Sequence, residues 1–390
     1  MIMNILWIAQ KDLIKDLDSS SWLETSRSMC RQGHRVTLVT LSTSKQNVKS
    51  NTKGLKIIEL PVINQFPFVA VTFHLQVFLY SIYWLLRKKE HIVLTHPITA
   101  LFLIPGKFVC KITGRKTRFV LDIRTLPVRS KGISGKFKKQ LHMLSFFIGK
   151  TLFDGITVIT PALRDFIALE FGLQNVEMGV WMSGVDIELF DPDQFDAEHG
   201  ESKNGRFRIM YHGAIADNRG VIETVKAMKI VNSLIPSVEL FILGRGNGVN
   251  EIRSLIKELK ISNVILHDPV SHNRIPDFIA KADTGIVPLP NLWCWRVSSP
   301  LKLFEYLAMA RPVIVSPIEA HTNVLRDNKA CFYLNSTEPE DIAKAIMRVY
   351  ESKANIKNLG QIGRQFVTNN FTWDHQAHNL TKYLNHISLK

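Results

Sequence analysis

Cysteine is scarce in this chain. The four present, Cys30, Cys110, Cys294 and Cys331, are scattered and form no CxxC or Cys/His spacing. That argues against structural zinc and for a reducing compartment. Internal repeats and low-complexity tracts are missing, which excludes solenoids and arrays. No signal peptide is expected: Met1 to Ala9 is a short apolar run without a basic start or a cleavage site, and reads as a first strand. Acidic residues are in deficit, 34 against 49 Lys and Arg, for a net charge of +15. Two acidic pairs, Asp16/Asp18 and Asp191/Asp193, have Asp-x-Asp spacing, but one precedes a helix and the other lies in a linker. No metal site is assigned to them. Nucleic acid is not the expected partner, because no recognised binding motif accompanies the positive charge.

What is present is the composition of a folded globular protein, 46% hydrophobic and 21% charged, at a length that favours two domains. The charge is uneven. Residues 1–190 hold 25 Lys and Arg against 13 Asp and Glu, and residues 107–150 hold twelve against Asp122 alone. Lys136 to Ile148 starts basic and carries apolar residues at helical spacing, which suits an anionic membrane surface or a lipid-phosphate acceptor. Phe66 to Leu86 has no formal charge over 21 residues, about the length that crosses a bilayer. Its Pro67, Thr72, His74, Gln76 and Ser81, and the strand His91–Thr95 that follows, read instead as a helix packed in the domain with one face free to touch lipid.

Short apolar runs alternate with helical patterns, the signature of doubly wound parallel sheets. In the first half, strands are expected at Ile5–Ala9, Arg35–Leu41, Ile92–Thr95, Arg118–Asp122 and Gly155–Thr160, with a helix from Trp22 to Arg31. A polar stretch, residues 191–206, reads as a linker. A second series follows at Ile209–His212, Glu239–Leu243, Val264–His267, Gly285–Pro288 and Pro312–Ser316.

Ser298 to Ser316 is the most informative stretch. Ser299 is placed to cap a helix with Pro300 at its first position, Pro312 to stop it, and Val313-Ile314-Val315 to form a core strand. A helix start suits a phosphate. Lys302 and Glu305 share one face, offering a cation for phosphate and a carboxylate for hydroxyls, together a fit to a nucleotide diphosphate and its ribose.

This run resembles the donor-site helix of the family 4 glycosyltransferases of GT-B fold (glycosyl transferases group 1), with their pattern P-x-K-x-x-E-Y-x-A-x-x-x-P-V-I. The resemblance implies an α/β fold of two Rossmann-like doubly wound parallel-sheet domains facing across a cleft. Residues 1–190 would bind the acceptor, residues 207–372 the nucleotide-sugar donor, and a last helix at about 373–390 would pack back on the first domain. It implies that Glu305 binds the ribose, with Ser298 and Ser299 beside it, and that Lys302 faces the diphosphate. Gly213 to Gly220 resembles the family's G-x-x-x-x-x-[KR]-G loop, which would bring Arg219 to the diphosphate, although Ala214 stands where many relatives have arginine. The glycines from Gly244 match its L-x-G-x-G near the nucleotide, and His267 to Val270 its base-reading segment. The glutamate that relatives carry eight residues before the second is here Val297, so Trp295 and Arg296 become the candidates for the sugar pocket. Asp122 to Pro127 resembles the D-x-R-D-x-W-P of relatives acting on lipid-linked or nucleotide-linked sugars, which makes Arg124, with His96 from the preceding strand, a candidate at the leaving phosphate or the acceptor.

The expected activity is transfer of a sugar from a UDP- or GDP-linked donor to a glycan or polyprenyl-linked acceptor, in cell-surface polysaccharide, lipopolysaccharide or glycolipid biosynthesis. By resemblance it is retaining. Arg219, Lys302 and the helix terminus would neutralise the leaving diphosphate, so no metal and no cofactor are expected. The expected location is cytoplasmic, peripheral at the inner face of the membrane through residues 107–150. A GT-B sugar-nucleotide epimerase and a non-catalytic GT-B partner subunit are the alternatives.

Overall fold

The computed structural model describes the chain apart from residues 1, 17, 45–47, 49, 66, 88–90, 126–132 and 196–204, and apart from the side chains of residues 133–139. The chain forms two compact units. One comprises Met1–Ser183 with Trp373–Lys390, and the other Gly184–Thr372.

The first unit is built on a seven-stranded, all-parallel sheet: β1 (Asn4–Asp12), β2 (Arg35–Ser42), β3 (Leu55–Pro61), β4 (Ile92–Thr95), β5 (Arg118–Ile123), β6 (Gly155–Val158) and β7 (Met178–Val180), in the order β3-β2-β1-β4-β5-β6-β7. β1 lies at the centre and is apolar without alternation from Ile5 to Ala9, because helices cover both of its faces. The reversal of strand order beside β1 leaves a crevice at the carboxyl ends of β1 and β4, the usual ligand position in such sheets.

The last helix, Trp373–Leu389, belongs to this unit, and its Ala377, Leu380, Tyr383, Leu384 and Ile387 are buried in the same core as Ile5 and Trp7. Tyr383 lies over the strands at Gly155 and Gly179, where a Cβ would come within 2.8 Å and 2.5 Å of its side chain. Its hydroxyl accepts from Ile156 N and donates to the Glu177 carbonyl, both at 3.0 Å.

The second unit carries a six-stranded parallel sheet: β8 (Phe207–Ala214), β9 (Val238–Arg245), β10 (Val264–His267), β11 (Thr284–Val287), β12 (Val313–Val315) and β13 (Cys331–Tyr333), ordered β10-β9-β8-β11-β12-β13. Its core runs from Ile209, Leu240 and Ile242 to Val225, Ile346 and Val349 of the flanking helices.

Four expectations are corrected. The unit boundary falls at Ser183/Gly184, ahead of residue 190, because Phe190 is buried and Arg364 of the second unit holds both the Phe190 carbonyl and Asp191. Asp191 therefore starts an anchored 3₁₀ turn at Pro192–Gln194, not a free linker, while residues 196–204 of that stretch lie outside the described ones. The helix after Ser299 spans Leu301–Ala308 with Pro300 at the N-cap, and no side chain caps it. It also ends before Pro312, because Ala310 turns into positive φ (+52°) and takes the chain out of the helix.

Candidate functional site

The donor-type site lies at the carboxyl ends of β8 and β9 and at the start of helix Leu301–Ala308. Tyr306 fixes that helix to the sheet. Its ring lies so close to Gly285 of β11 that a Cβ there would stand 2.3 Å from the ring, and its hydroxyl bridges β8 by donating to Met210 O (2.8 Å) and accepting from His212 N (3.0 Å). With Tyr306 pinned inward, Lys302 and Glu305 of the same helix are carried to the end of β8, and both are buried.

The Lys302 ammonium sits 3.8 Å from the centroid of the Tyr211 ring and against Gly213, where a Cβ would stand 3.2 Å from Nζ. Gly213 has φ +111°, which a side chain would rarely adopt, so glycine serves both the turn and the close approach. Lys302 Nζ has no hydrogen-bond partner among the described residues. Burial, and then the Arg219 charge, push its pKa well below that of an ordinary lysine, while Glu305 opposes the shift. An anion seated here would reverse both effects.

Glu305 accepts a hydrogen bond from His272 Nε2 at 2.9 Å and lies 3.2 Å from His212 Nε2. Burial works to raise its pKa, but the His272 bond, the two imidazoles and Lys302 outweigh burial, so the carboxyl lies below its usual range. Burial takes His212 down to about 4, which keeps it neutral at ordinary pH. Neither histidine was singled out by sequence reasoning. His212 is quoted there only as part of the strand, and His272 comes from the loop after β10; their isolated positions carry no periodic or spacing signal.

Arg219 is half-buried in the loop after β8, its guanidinium 4.3 Å from the Trp295 ring centroid, and Trp295 Nε1 donates to Asn218 O at 2.8 Å. Trp295 thus orients the loop that presents Arg219. Gly220, at φ +70°, follows it directly; a Cβ there would lie 1.9 Å from Pro288 O. Ser298 turns its hydroxyl back to Trp295 O (2.8 Å), Ser299 is buried just ahead of the helix, and the exposed Arg296 is bound to Glu319. Gly244 packs against β8 with no room for a side chain, a Cβ there standing 1.9 Å from Gly213 O. The loops after β9 and β10, from Gly244 to Arg253 and from Leu266 to Pro269, border a cavity of about 360 Å³, with the half-buried Val270 next in the chain.

The other sequence candidates fall in the first unit. His96 and Arg124 border one cavity of about 130 Å³ at the carboxyl ends of β1, β4 and β5. Leu126 and Pro127 of the same motif lie outside the described residues. No group of three or more His, Cys, Asp or Glu side chains is arranged to hold a metal among the described residues. Asp18 is paired with Lys11 at 2.7 Å and Asp191 with Arg364 at 2.7 Å.

Two all-parallel doubly wound sheets, one in each unit, are the architecture of the GT-B fold class. Residues 206–352, within the second unit, match the family described as glycosyl transferases group 1. An uncharacterised glycosyltransferase of Methanocaldococcus jannaschii is 21% identical over 62% of this chain and 62% of its own. The D-inositol 3-phosphate glycosyltransferase of Paenarthrobacter aurescens is 23% identical over 56% of this chain and 54% of its own. The matched stretch thus spans less than two thirds of either relative. Among solved structures, Anabaena Alr3699/HepE in complex with UDP and glucose aligns with a TM-score of 0.73 at 12% identity, over 98% of this chain and 99% of that one.

Proposed function

We propose that this protein is a retaining, metal-independent family 4 glycosyltransferase that moves a hexose from a nucleotide-diphosphate donor to a glycan or lipid-linked acceptor. The observation that carries the reading is the pairing of a buried, unpartnered Lys302 ammonium with the Glu305 carboxylate one turn on. A buried ammonium without a partner is costly, and a diphosphate is the anion that would satisfy it. Glu305 supplies two acceptor oxygens for ribose hydroxyls. Arg219, steadied on Trp295, adds the second cation at the leaving group, and electrostatic stabilisation of the departing diphosphate is the main catalytic term. The relatives named for glycosyl transfer support the class, and the neighbour solved with UDP and glucose supports a uridine donor.

We place the acceptor in the first unit and the protein at an anionic membrane surface, as a step in cell-surface polysaccharide or glycolipid assembly. The helix Phe68–Arg87 is long and apolar enough to cross a membrane by length and composition, yet it buries Phe73, Val77, Trp84 and Leu85 in the unit. Its other face exposes Phe68, Val71, Leu75, Leu79, Tyr83 and Leu86, spaced three or four residues apart. That stripe extends the expected membrane face beyond residues 107–150, in which Phe108, Ile112 and Phe147 are also exposed. Lys136, Lys138 and Lys139, central to the sequence expectation, have side chains outside the described ones.

Calorimetry with a panel of UDP- and GDP-linked sugars tests the donor. Binding of one of them is expected in the parent and a loss of at least tenfold in Glu305→Ala, with the fold retained; undiminished binding or transfer by that variant would sink the assignment. Anomer-resolved NMR of the product distinguishes retention from inversion.

A further inference from the structure

We propose that the small cavity of the first unit is an oxyanion subsite, built around Arg124 to take a phosphate or carboxylate group carried by the acceptor. The inference rests on the glycosyltransferase reading for the word acceptor; the subsite itself stands on the geometry of one unit.

Arg124 is only 5% exposed, yet no carboxylate lies within ion-pairing distance of it among the described residues, and its Nη1 has no hydrogen-bond partner there. The guanidinium lies over two aromatic rings, 3.7 Å from the Trp181 centroid and 5.5 Å from that of Trp22. Trp181 is itself fixed, since its Nε1 donates to Asp122 Oδ1 at 3.0 Å and its ring packs edge-on to Trp7. The same Asp122 oxygen accepts from Thr157 at 2.9 Å. Asp122 is therefore engaged as the anchor of the cage.

The cavity of about 130 Å³ opens on this guanidinium and is bordered by Gln10, Lys11, His96 and Thr125 at the strand ends, and by Asp122, whose Oδ1 is taken up by Trp181 and Thr157. Its size suits a single oxyanion rather than a sugar. A buried guanidinium is always charged and presents a planar fork that matches phosphate or carboxylate oxygens. Burial depresses its pKa to about 10, with the Asp122 and then the Asp18 charge opposing the shift. Lys11, which borders the same space over the Trp22 ring, is already paired with Asp18. Neither Asp122 nor Asp18 forms an ion pair with Arg124 among the described residues, so the open Nη1 is left for a ligand's oxygen.

The test uses the full chain carrying Lys302→Met, so that the second unit does not report. Inorganic phosphate and, separately, acetate are titrated while tryptophan fluorescence and thermal midpoint are followed. Saturable binding of either anion is expected, and whichever binds more tightly identifies the group. Adding Arg124→Met should weaken it at least tenfold, and Arg124→Lys, which keeps the charge and loses the fork, several-fold. If Arg124→Met does not fold, Arg124→Lys alone decides. Absence of saturable binding, or binding unchanged by the Arg124 substitutions, overturns the subsite. Neither outcome bears on nucleotide-sugar binding, which the Glu305→Ala calorimetry tests independently.

Discussion

His272 Nε2 donates to Glu305 Oε1 at 2.9 Å, so the carboxylate best placed to accept ribose hydroxyls is already engaged by a side chain of its own unit. His272 is nearly half exposed and sits on a loop, whereas Glu305 is buried on a helix pinned by Tyr306. The histidine is the partner that can yield. Under the proposed function, donor binding would exchange one hydrogen bond for another at this oxygen.

This exchange makes donor affinity depend on His272. The other groups facing Glu305 are His212, which stays neutral down to about pH 4, and Lys302. His272→Ala removes the competing hydrogen bond, so affinity for the nucleotide sugar should rise several-fold in calorimetry. Unchanged affinity in that variant would refute the exchange.

Lys302→Met should trade function for stability. The folded state depresses the Lys302 pKa, so the unfolded chain binds this proton more tightly and folding works against it. Replacing the unpartnered ammonium with an apolar side chain should stabilise the protein by about 1–3 kcal/mol while removing nucleotide-sugar binding. The gain should be greatest at neutral and acid pH and shrink as pH rises toward the unfolded-state lysine value. Urea midpoints at pH 6, 8 and 10 measure it.

Gly220 carries the turn after Arg219 at positive φ with no room for a Cβ. Gly220→Ala should cost about 2–4 kcal/mol and displace Arg219. A thermal midpoint within a degree of the parent's would contradict the close packing against Pro288.

Acid should weaken the protein through two buried histidines. Burial lowers both His212 and His321 to about 4, below the unfolded value of 6.5. Between these values the unfolded chain holds protons that the folded one lacks, so stability drops as pH falls through 6.5. The full loss amounts to roughly 3 kcal/mol per histidine by pH 4. His321 Nδ1 donates to Ser316 O, and His321→Gln can keep that bond while removing the titration. A shallower decline of the chemical-denaturation midpoint between pH 7 and 5 is expected in that variant.

The exposed stripe on Phe68–Arg87 is checked with vesicles. Leu75→Glu with Leu79→Glu should reduce sedimentation with anionic vesicles several-fold and leave nucleotide-sugar binding intact, since both side chains are exposed in the first unit. Undiminished sedimentation would count against the stripe as the membrane face.

Much of this architecture is legible in the chain because buried parallel strands are apolar without alternation. β1, β2, β4 and β8 to β12 are readable for that reason. β3, β7 and β13 are not: each is a sheet edge only partly buried, and none is an unbroken aliphatic run in the sequence. The last helix, Trp373–Leu389, is preceded by a separate one, Ile356–Asn370. They are separated where Phe371 O accepts from Val185 N and Thr372 pairs with Val185, a contact between residues far apart in the chain.

In the candidate sites the same division holds. Lys302 and Glu305 share a helix, so their spacing alone puts them on one face, and the turn chemistry around Gly213 and Gly220 is likewise local. That His212 and His272 meet Glu305, that Tyr211 and Gly213 wall in the Lys302 ammonium, and that Trp181 and Trp22 flank Arg124 was decided only by tertiary structure. Helical and strand periods reach a few residues along the chain. Which strand ends become neighbours depends on sheet order, and with it where a buried charge is left without a partner.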